Sequence, residues 1–282
     1  MIYTGGHLTI LESVDSTNNY AMAKVRTGLA KHGDGFFAMA QVNGKGQRGK
    51  AWITEPGTNI ILTLVMQPFP LQLNQQFHFN SAIALAACDF FARYAGDETT
   101  IKWPNDIYWR DRKAGGILIE NIIVSRQASD GSNDTKFEID RPDAIKNNKN
   151  TDEGLTPHAA GLKSPWQWAI TGMGININQI AFPENIRNAV SLKQITGMDH
   201  DVIELAKELC ECVQRRYQQL LAGNNLLKEY NDHLFKKGAA VRLKKGSRVF
   251  EGIIKEVSIS GELVVMTAAE EHFNFGEIEW VL

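Results

Sequence analysis

Gly44, Gly46 and Gly49 lie in a stretch that also carries Lys45, Arg48 and Lys50, running from Gln41 to Trp52. Glycine has no Cβ, so its backbone can approach a ligand closely and turn N–H groups towards it, while the three basic side chains add cationic charge. Such a loop suits an anion. The alternative is a flexible basic hairpin without chemical consequence, and the G-x-G-x-x-G spacing alone does not separate the two. A dinucleotide-binding fold would open a helix here and place an acidic residue about 20 positions later. The chain instead continues through Trp52, Pro56 and Gly57 to Val-Met-Gln-Pro-Phe-Pro at 65–70. A protein-kinase flap would need Val-Ala-Ile-Lys, His-Arg-Asp and Asp-Phe-Gly motifs, and none occurs.

Three other groups carry chemistry by type and spacing. In Lys102-Trp103-Pro104-Asn105-Asp106 the proline fixes its own φ and biases Trp103 towards an extended conformation. A strand breaking here presents Asn105 and Asp106 at its end, where amide and carboxylate oxygens suit a hard cation such as Mg²⁺; a turn packed by Trp103 is the plain alternative. Lys113 precedes Gly115, Gly116 and an apolar run, so its amine can sit at the mouth of a core; a solvated lysine is the plain alternative. Gly172 and Gly174 let something approach a buried strand that ends in the amide of Asn176, or mark a bulge.

The elements that must hold these residues are legible in outline. Residues 16–28 read as a helix, with Ser16, Thr17 and Asn18 offering hydroxyl and amide groups at its start and Gly28 as its stop. Residues 36–42 and 59–68 read as buried strands flanking the glycine loop, and 81–96 as a core helix. The segments Ile-Lys-Trp-Pro-Asn-Asp-Ile-Tyr-Trp (101–109) and Gly-Gly-Ile-Leu-Ile-Glu-Asn-Ile-Ile-Val (115–124) read as two strands joined by the charged turn Arg110 to Lys113, and 166–178 as a further strand. Residues 126–165 are polar and rich in Asn, Asp, Lys, Gly and Pro, and read as an insertion in a loop. In 201–221, Val202, Ala206, Leu209, Val213, Tyr217 and Leu220 share one helical face. Beyond a boundary near Lys236 to Gly238, short alternating strands predict a small barrel.

Composition narrows the function classes. The chain has 282 residues, 43% of them hydrophobic, and a formal net charge of −2, which supports a sizeable core and argues against a dedicated nucleic-acid surface. No apolar run approaches the roughly 20 residues that span a bilayer, and the N-terminus lacks a secretory pattern, so no membrane role is expected. Cys88, Cys210 and Cys212 are too few for a disulfide framework, and the latter two lack Cys or His partners for a metal. A cytoplasmic protein is expected.

In order and spacing, Ser16-Thr17-Asn18, Gln41 ahead of Gly-Lys-Gly-Gln-Arg-Gly-Lys-Ala-Trp, Lys-Trp-Pro-Asn-Asp, Lys-Ala-Gly-Gly-Ile-Leu-Ile-Glu and Gly-Met-Gly-Ile-Asn closely resemble the biotin–protein ligases. The resemblance runs from about residue 10 to the C-terminus, interrupted at 126–165. It implies an α+β catalytic domain over 1–236, a mixed sheet flanked by helices as in class II aminoacyl-tRNA synthetases and lipoate ligases, then an SH3-like barrel over 237–282. It implies that biotin and Mg·ATP form biotinyl-adenylate, from which biotin passes to a lysine of a biotin carboxyl carrier domain, and it leaves room for a homodimer. Some relatives repress transcription through an N-terminal helix-turn-helix module. About 15 residues precede Ser16 here, so the monofunctional type is expected, without DNA binding.

By motif position the resemblance puts Ser16, Thr17, Asn18 and Gln41 on the biotin head group. The loop residues Gly44, Lys45, Gly46 and Gln47 would close over the biotin carboxylate, and Lys113, beside Gly116, would contact that carboxylate and the α-phosphate. Arg48, Lys50, Trp52, Asn105 and Asn176 would serve ATP, with Asn105 and Asp106 on the metal; Lys113, Arg48 and Lys45 would be the catalytic cations. Many relatives read Gly-Arg-Gly-Arg where this loop reads Gly-Lys-Gly-Gln, which makes Arg48 and Lys50 the favoured phosphate partners. The region around Ala189 lacks a tryptophan that some relatives place near adenine. The closest rival is a lipoate or octanoate ligase on the same scaffold, which would want a long apolar slot in place of hydroxyl and amide groups at 16–18 and 41.

Overall fold

The computed structural model describes residues 6–126, 135–140, 166–184, 186 and 188–281. Strands β1 (Leu8–Val14), β2 (Gly35–Gln41), β3 (Asn59–Met66), β4 (Thr99–Lys102), β5 (Asp106–Trp109), β6 (Arg112–Arg126), β7 (Thr135–Asp140) and β8 (Trp166–Asn176) form one sheet. Its order is β1-β2-β3-β8-β6-β5-β4, with β7 also on β6. β1 and β2 are parallel and the remaining pairs antiparallel, so the sheet is mixed.

Side chains alternate across a strand, and that period of two divides the sheet into two unlike faces. Ile60, Leu62 and Leu64 of β3, with Met173 and Ile175 of β8, point into the main core beneath α2 (Gln76–Ala95) and α4 (Val202–Leu221). α2 carries twelve buried residues, and all six residues expected on the inner face of α4 are buried. Arg216 of α4 ties this layer together, pairing with Asp89 of α2 at 2.8 Å and with Glu229 of the short helix α5 (Leu227–Asp232) at 2.6 Å. The opposite face is covered by α1 (Thr17–Arg26) over only part of its area, where Ala21, Met22, Phe36, Val65, Ile122 and Ile170 make a smaller cluster. The rest of that face is bare.

After α5 the chain turns through Lys236 and Gly238, both at positive φ, into a five-stranded antiparallel sheet. Its strands are β9 (Ala240–Lys245), β10 (Arg248–Val257), β11 (Leu263–Met266), β12 (Glu270–Phe273) and β13 (Glu279–Trp280). It is fastened to α5 by reciprocal bonds: Asn231 Nδ2 donates to the Val257 carbonyl at 2.9 Å, and Val257 N donates to Asn231 Oδ1 at 2.7 Å. The Trp103 indole donates to the Gly261 carbonyl at 3.0 Å, and Gly261, at φ +88°, lets Phe77 press against it where a Cβ would collide.

Three expectations need correction. Residues 101–109 are not one strand: β4 and β5 are the arms of a hairpin with Trp103 to Asn105 at its turn, so the proline marks a reversal of the chain. The core helix starts at Gln76, five residues before the expected Ser81. Within the polar stretch, residues 135–140 are a strand paired with β6, because the long β6 offers its second half as an open edge; 127–134 and 141–165 lie outside the described residues.

Candidate active site

The bare half of the sheet is where the motifs meet. Three antiparallel rows cross β3, β8 and β6: Ile61–Gly174–Gly116, Thr63–Gly172–Leu118 and Val65–Ile170–Glu120. Gly116, Gly172 and Gly174 leave no side chain at the centre of the first two rows, and other residues lie directly on the backbone there. A Cβ on Gly172 would run into Asn18, and one on Gly174 into the indole of Trp52. A Cβ on Gly116 would come within 3.2 Å of Asp106 Oδ1 and 3.3 Å of Lys113 Nζ. The glycines therefore seat the site on the sheet.

A cavity of about 680 Å³ opens over these rows, a volume suited to small-molecule ligands. Ser16, Thr17, Asn18, Gln41, Lys45, Gly46, Gln47, Arg48, Lys50, Trp52, Asp106, Lys113, Gly116 and Asn176 all line it, so fourteen of the expected site residues converge. Gly44 and Asn105 do not. Gly44 packs under the Trp52 carbonyl and beside Gln41 Nε2. Asn105 turns away and donates from Nδ2 to the Ile117 carbonyl, leaving its buried Oδ1 without a partner.

The end nearest α1 is a closed polar network. Gln41 Oε1 accepts from Thr17 N at 2.8 Å and from the Thr17 hydroxyl at 3.1 Å. The Thr63 hydroxyl lies 2.7 Å from Asn18 Oδ1 and 2.8 Å from the Thr17 hydroxyl. Asn18 Nδ2 donates to the buried Glu120 carboxylate at 3.0 Å. Since Asn18 is 3% exposed and Glu120 is 1% exposed, each polar atom must find its partner in the protein or in a ligand, and the orientation of the Asn18 amide is fixed.

The other end is cationic. Lys113 Nζ pairs with Asp106 Oδ1 at 2.7 Å and lies 5.7 Å from the Trp52 ring. Its backbone is clamped by Asn188 and Val190, and Asn176 Nδ2 donates to the Val190 carbonyl at 3.2 Å, so Asn176 braces this wall. The glycine loop is an ordered turn: Trp52 N donates to the Gly44 carbonyl at 2.9 Å and Gly46 N to the Lys50 carbonyl at 2.7 Å. Arg48 sits at its tip with φ 55°, the left-handed region that L side chains rarely adopt, next to Gly49 at φ 73°. Lys45 reaches back to Asn19 Oδ1 at 2.6 Å and is thereby tied to α1.

Sequence reasoning named Lys102 only as part of its motif and assigned nothing to the C-terminal strands, yet Lys102, Phe275, Ile278, Glu279 and Trp280 all line the cavity. Burial pushes the Lys102 amine down to about 8. An unpaired lysine in a chemically busy motif was the available signal; the aromatic wall from residues 275–280 had none, because nothing local records where that sheet docks. Burial pushes the Cys88 and Cys210 thiols up to about 12 and raises that of Cys212, which removes them as nucleophiles. No cluster of three or more His, Cys, Asp or Glu suited to a metal occurs among the described residues.

Comparison with known proteins agrees with this geometry. Residues 10–132 match the model of the biotin/lipoate A/B protein ligase family. The bifunctional ligase/repressor BirA of Escherichia coli is 32% identical over 118 residues, 41% of this chain and 35% of that protein. A biotin–[acetyl-CoA-carboxylase] ligase of Paracoccus denitrificans is 38% identical over 119 residues, 40% of this chain and 46% of that protein. These matches thus span less than half of either relative. In fold, the biotin protein ligase of Aquifex aeolicus, solved with biotin and ATP, aligns at a TM-score of 0.67 with 20% identity over 97% of both chains. The Leishmania major enzyme, solved with biotinyl-5-AMP, aligns at 0.54 with 19% identity over 95% of this chain and 98% of its own. Four of the five motifs lie inside residues 10–132, so that part of the chain is similar to the biotin/lipoate A/B protein ligase family, and the whole chain shares its fold with solved biotin protein ligases.

Proposed function

We propose that the chain is an ATP-dependent biotin–protein ligase, which joins biotin to ATP as biotinyl-5′-AMP with release of pyrophosphate and then passes biotin to a lysine of a biotin carboxyl carrier protein. The observation that carries this reading is continuity. One cavity runs from the hydrogen-bonding end at Thr17, Asn18 and Gln41 to the cationic end at Lys113. A bicyclic ureido head would use the first and an acyl phosphate the second. The Aquifex relative holds biotin and ATP, and the Leishmania relative biotinyl-5-AMP, which supports the same pair of substrates here.

The chemistry accounts for the charges. A carboxylate oxygen attacking the α-phosphorus brings two anions together, and two unit charges 4 Å apart repel by about 4 kcal/mol at an effective dielectric of 20. Lys113, held by Asp106 and braced from behind by Asn176, offsets this as the new P–O bond forms and the bond to pyrophosphate breaks. Arg48 and Lys50 serve the phosphates from the loop, and Lys45 together with Gly46 and Gln47 covers the carboxylate. Trp52, laid on Gly174, keeps water from the mixed anhydride. The Asp106 carboxylate on the cavity wall is a hard oxygen donor that suits Mg²⁺ and would hold it, where the ion would offset phosphate charge; Asn105, buried beside it with its Oδ1 off the cavity, does not reach that wall.

Residues 1–236 form the catalytic domain in this reading and 237–282 an SH3-like barrel that closes the nucleotide side. The three free cysteines support a reducing, cytoplasmic setting. Incubation with ATP and either biotin or octanoic and lipoic acids, followed by detection of the adenylate, tests the reading. Biotinyl-adenylate is expected. An adenylate formed only from the fatty acids would transfer the chain to the lipoate branch of its family.

A further inference from the structure

Five cationic side chains line the cavity, Lys45, Arg48, Lys50, Lys102 and Lys113, against two carboxylates, Asp106 and Glu279. Lys113 is matched by Asp106, and Lys45 is spent on Asn19. Lys102 is 9% exposed and forms no ion pair with any described residue. Its Nζ meets the Tyr108 hydroxyl at 3.1 Å and the faces of Tyr108, Trp280 and Phe235 at 4.7, 5.1 and 5.8 Å. Aromatic faces offset part of the cost of burying an ammonium but supply no counter-charge. A cation so placed and opening on a cavity calls for an anion from the ligand.

Strand order says which anion. Across the sheet, Thr63 stands on β3, Gly172 on β8, Gly116 on β6, Asp106 on β5 and Lys102 on β4. The head-group network overlies β3 and β8, and the Lys113–Asp106 pair overlies β6 and β5. Lys102 therefore lies beyond the joining point, on the side of the departing group. Lys102 and Lys50 together provide two positive charges there, and neither forms an ion pair with a described carboxylate, Asp106 being taken by Lys113. We infer that Lys102 binds the polyphosphate arm of the nucleotide, the part that leaves as pyrophosphate, with Trp280 of the C-terminal sheet as the wall that holds the amine in place. This rests on the adenylating reading above.

Calorimetric titration of ATP, AMP and inorganic tripolyphosphate into the wild-type chain, Lys102→Met and Lys102→Arg tests the inference. Methionine keeps the stem among the aromatic rings and removes the charge; Lys102→Gln carries the same comparison should it not fold. Loss of tenfold or more in ATP and tripolyphosphate affinity, with AMP changed by less than twofold and arginine within threefold of wild type, is expected. Equal weakening of AMP and ATP would reduce Lys102 to a support of the wall, and unchanged ATP and tripolyphosphate affinity would remove it from the site; either result overturns the inference. Biotin-dependent exchange of labelled pyrophosphate into ATP by the wild-type chain reports separately on the adenylating reading. Exchange alongside unchanged tripolyphosphate binding in Lys102→Met would discard the lysine and keep the ligase.

Discussion

The two ends of the cavity are built on opposite principles. At the α1 end, Thr17, Asn18, Gln41, Thr63 and Glu120 stand on a helix and three strands and hydrogen-bond one another, so the pocket exists before any ligand arrives. At the other end the groups come from a loop, a hairpin and a separate sheet, and Lys50 and Lys102 form no ion pair among the described residues. The first arrangement selects by shape and hydrogen-bond polarity; the second stores positive charge and adapts to where negative charge moves. The proposed mixed anhydride would need both, since recognition is best done by rigid groups and charge transfer by groups released from other duties.

That contrast can be broken most sharply at Lys113. Lys113→Ala should slow adenylate formation by on the order of 10²–10³, read by pre-steady-state quench, while biotin affinity by calorimetry changes only a few-fold. Equal losses in both would make Lys113 a binding group like those at the α1 end. Next in size is Gly172→Ala, which drives a methyl group into Asn18 and should cost biotin about 1–3 kcal/mol of affinity with ATP affinity intact. If ATP suffers equally, the two ends are not independent.

The third prediction concerns stability. The Lys102 amine sits at about 8 in the fold and near 10.5 when unfolded, so between those values the unfolded chain binds more protons and stability rises with pH. Below pH 8 the burial penalty is felt in full. Lys102→Met should therefore stabilise the protein by on the order of 1–3 kcal/mol at pH 7, an advantage that shrinks as pH climbs from 8 towards 10.5 in denaturant titrations. A destabilised methionine variant at pH 7 would mean the amine is a net contributor to the fold. Smallest of all, Lys228→Ala removes an exposed ion pair with Asp232 and should leave melting temperature and turnover unchanged.

Much of this was legible along the chain because the signals are local. The α4 face from Val202 to Leu220 is buried as its period of 3.6 requires, and the motifs that begin at Lys113 and Gly172 meet because β6 and β8 carry them in register. Pairing was not legible. Thr135 to Asp140 alternate Thr, Phe and Ile with Lys, Glu and Asp, a strand signal passed over inside a polar stretch, and what they pair with was not legible, since β7 forms on the free edge of a β6 that is longer than expected. Nor does Phe275 or Trp280 announce a cavity wall, because that depends on Asn231 meeting Val257 and Trp103 meeting Gly261 across separations that no local pattern spans.

The bond from the Trp103 indole to the Gly261 carbonyl has a thermodynamic corollary. It joins the turn of the β4–β5 hairpin to the turn between β10 and β11 of the smaller sheet, so neither unit can lose its order without stripping the other of contacts. Heating should accordingly yield one calorimetric endotherm, with van't Hoff and calorimetric enthalpies in agreement; two resolved endotherms would show that the smaller sheet melts alone.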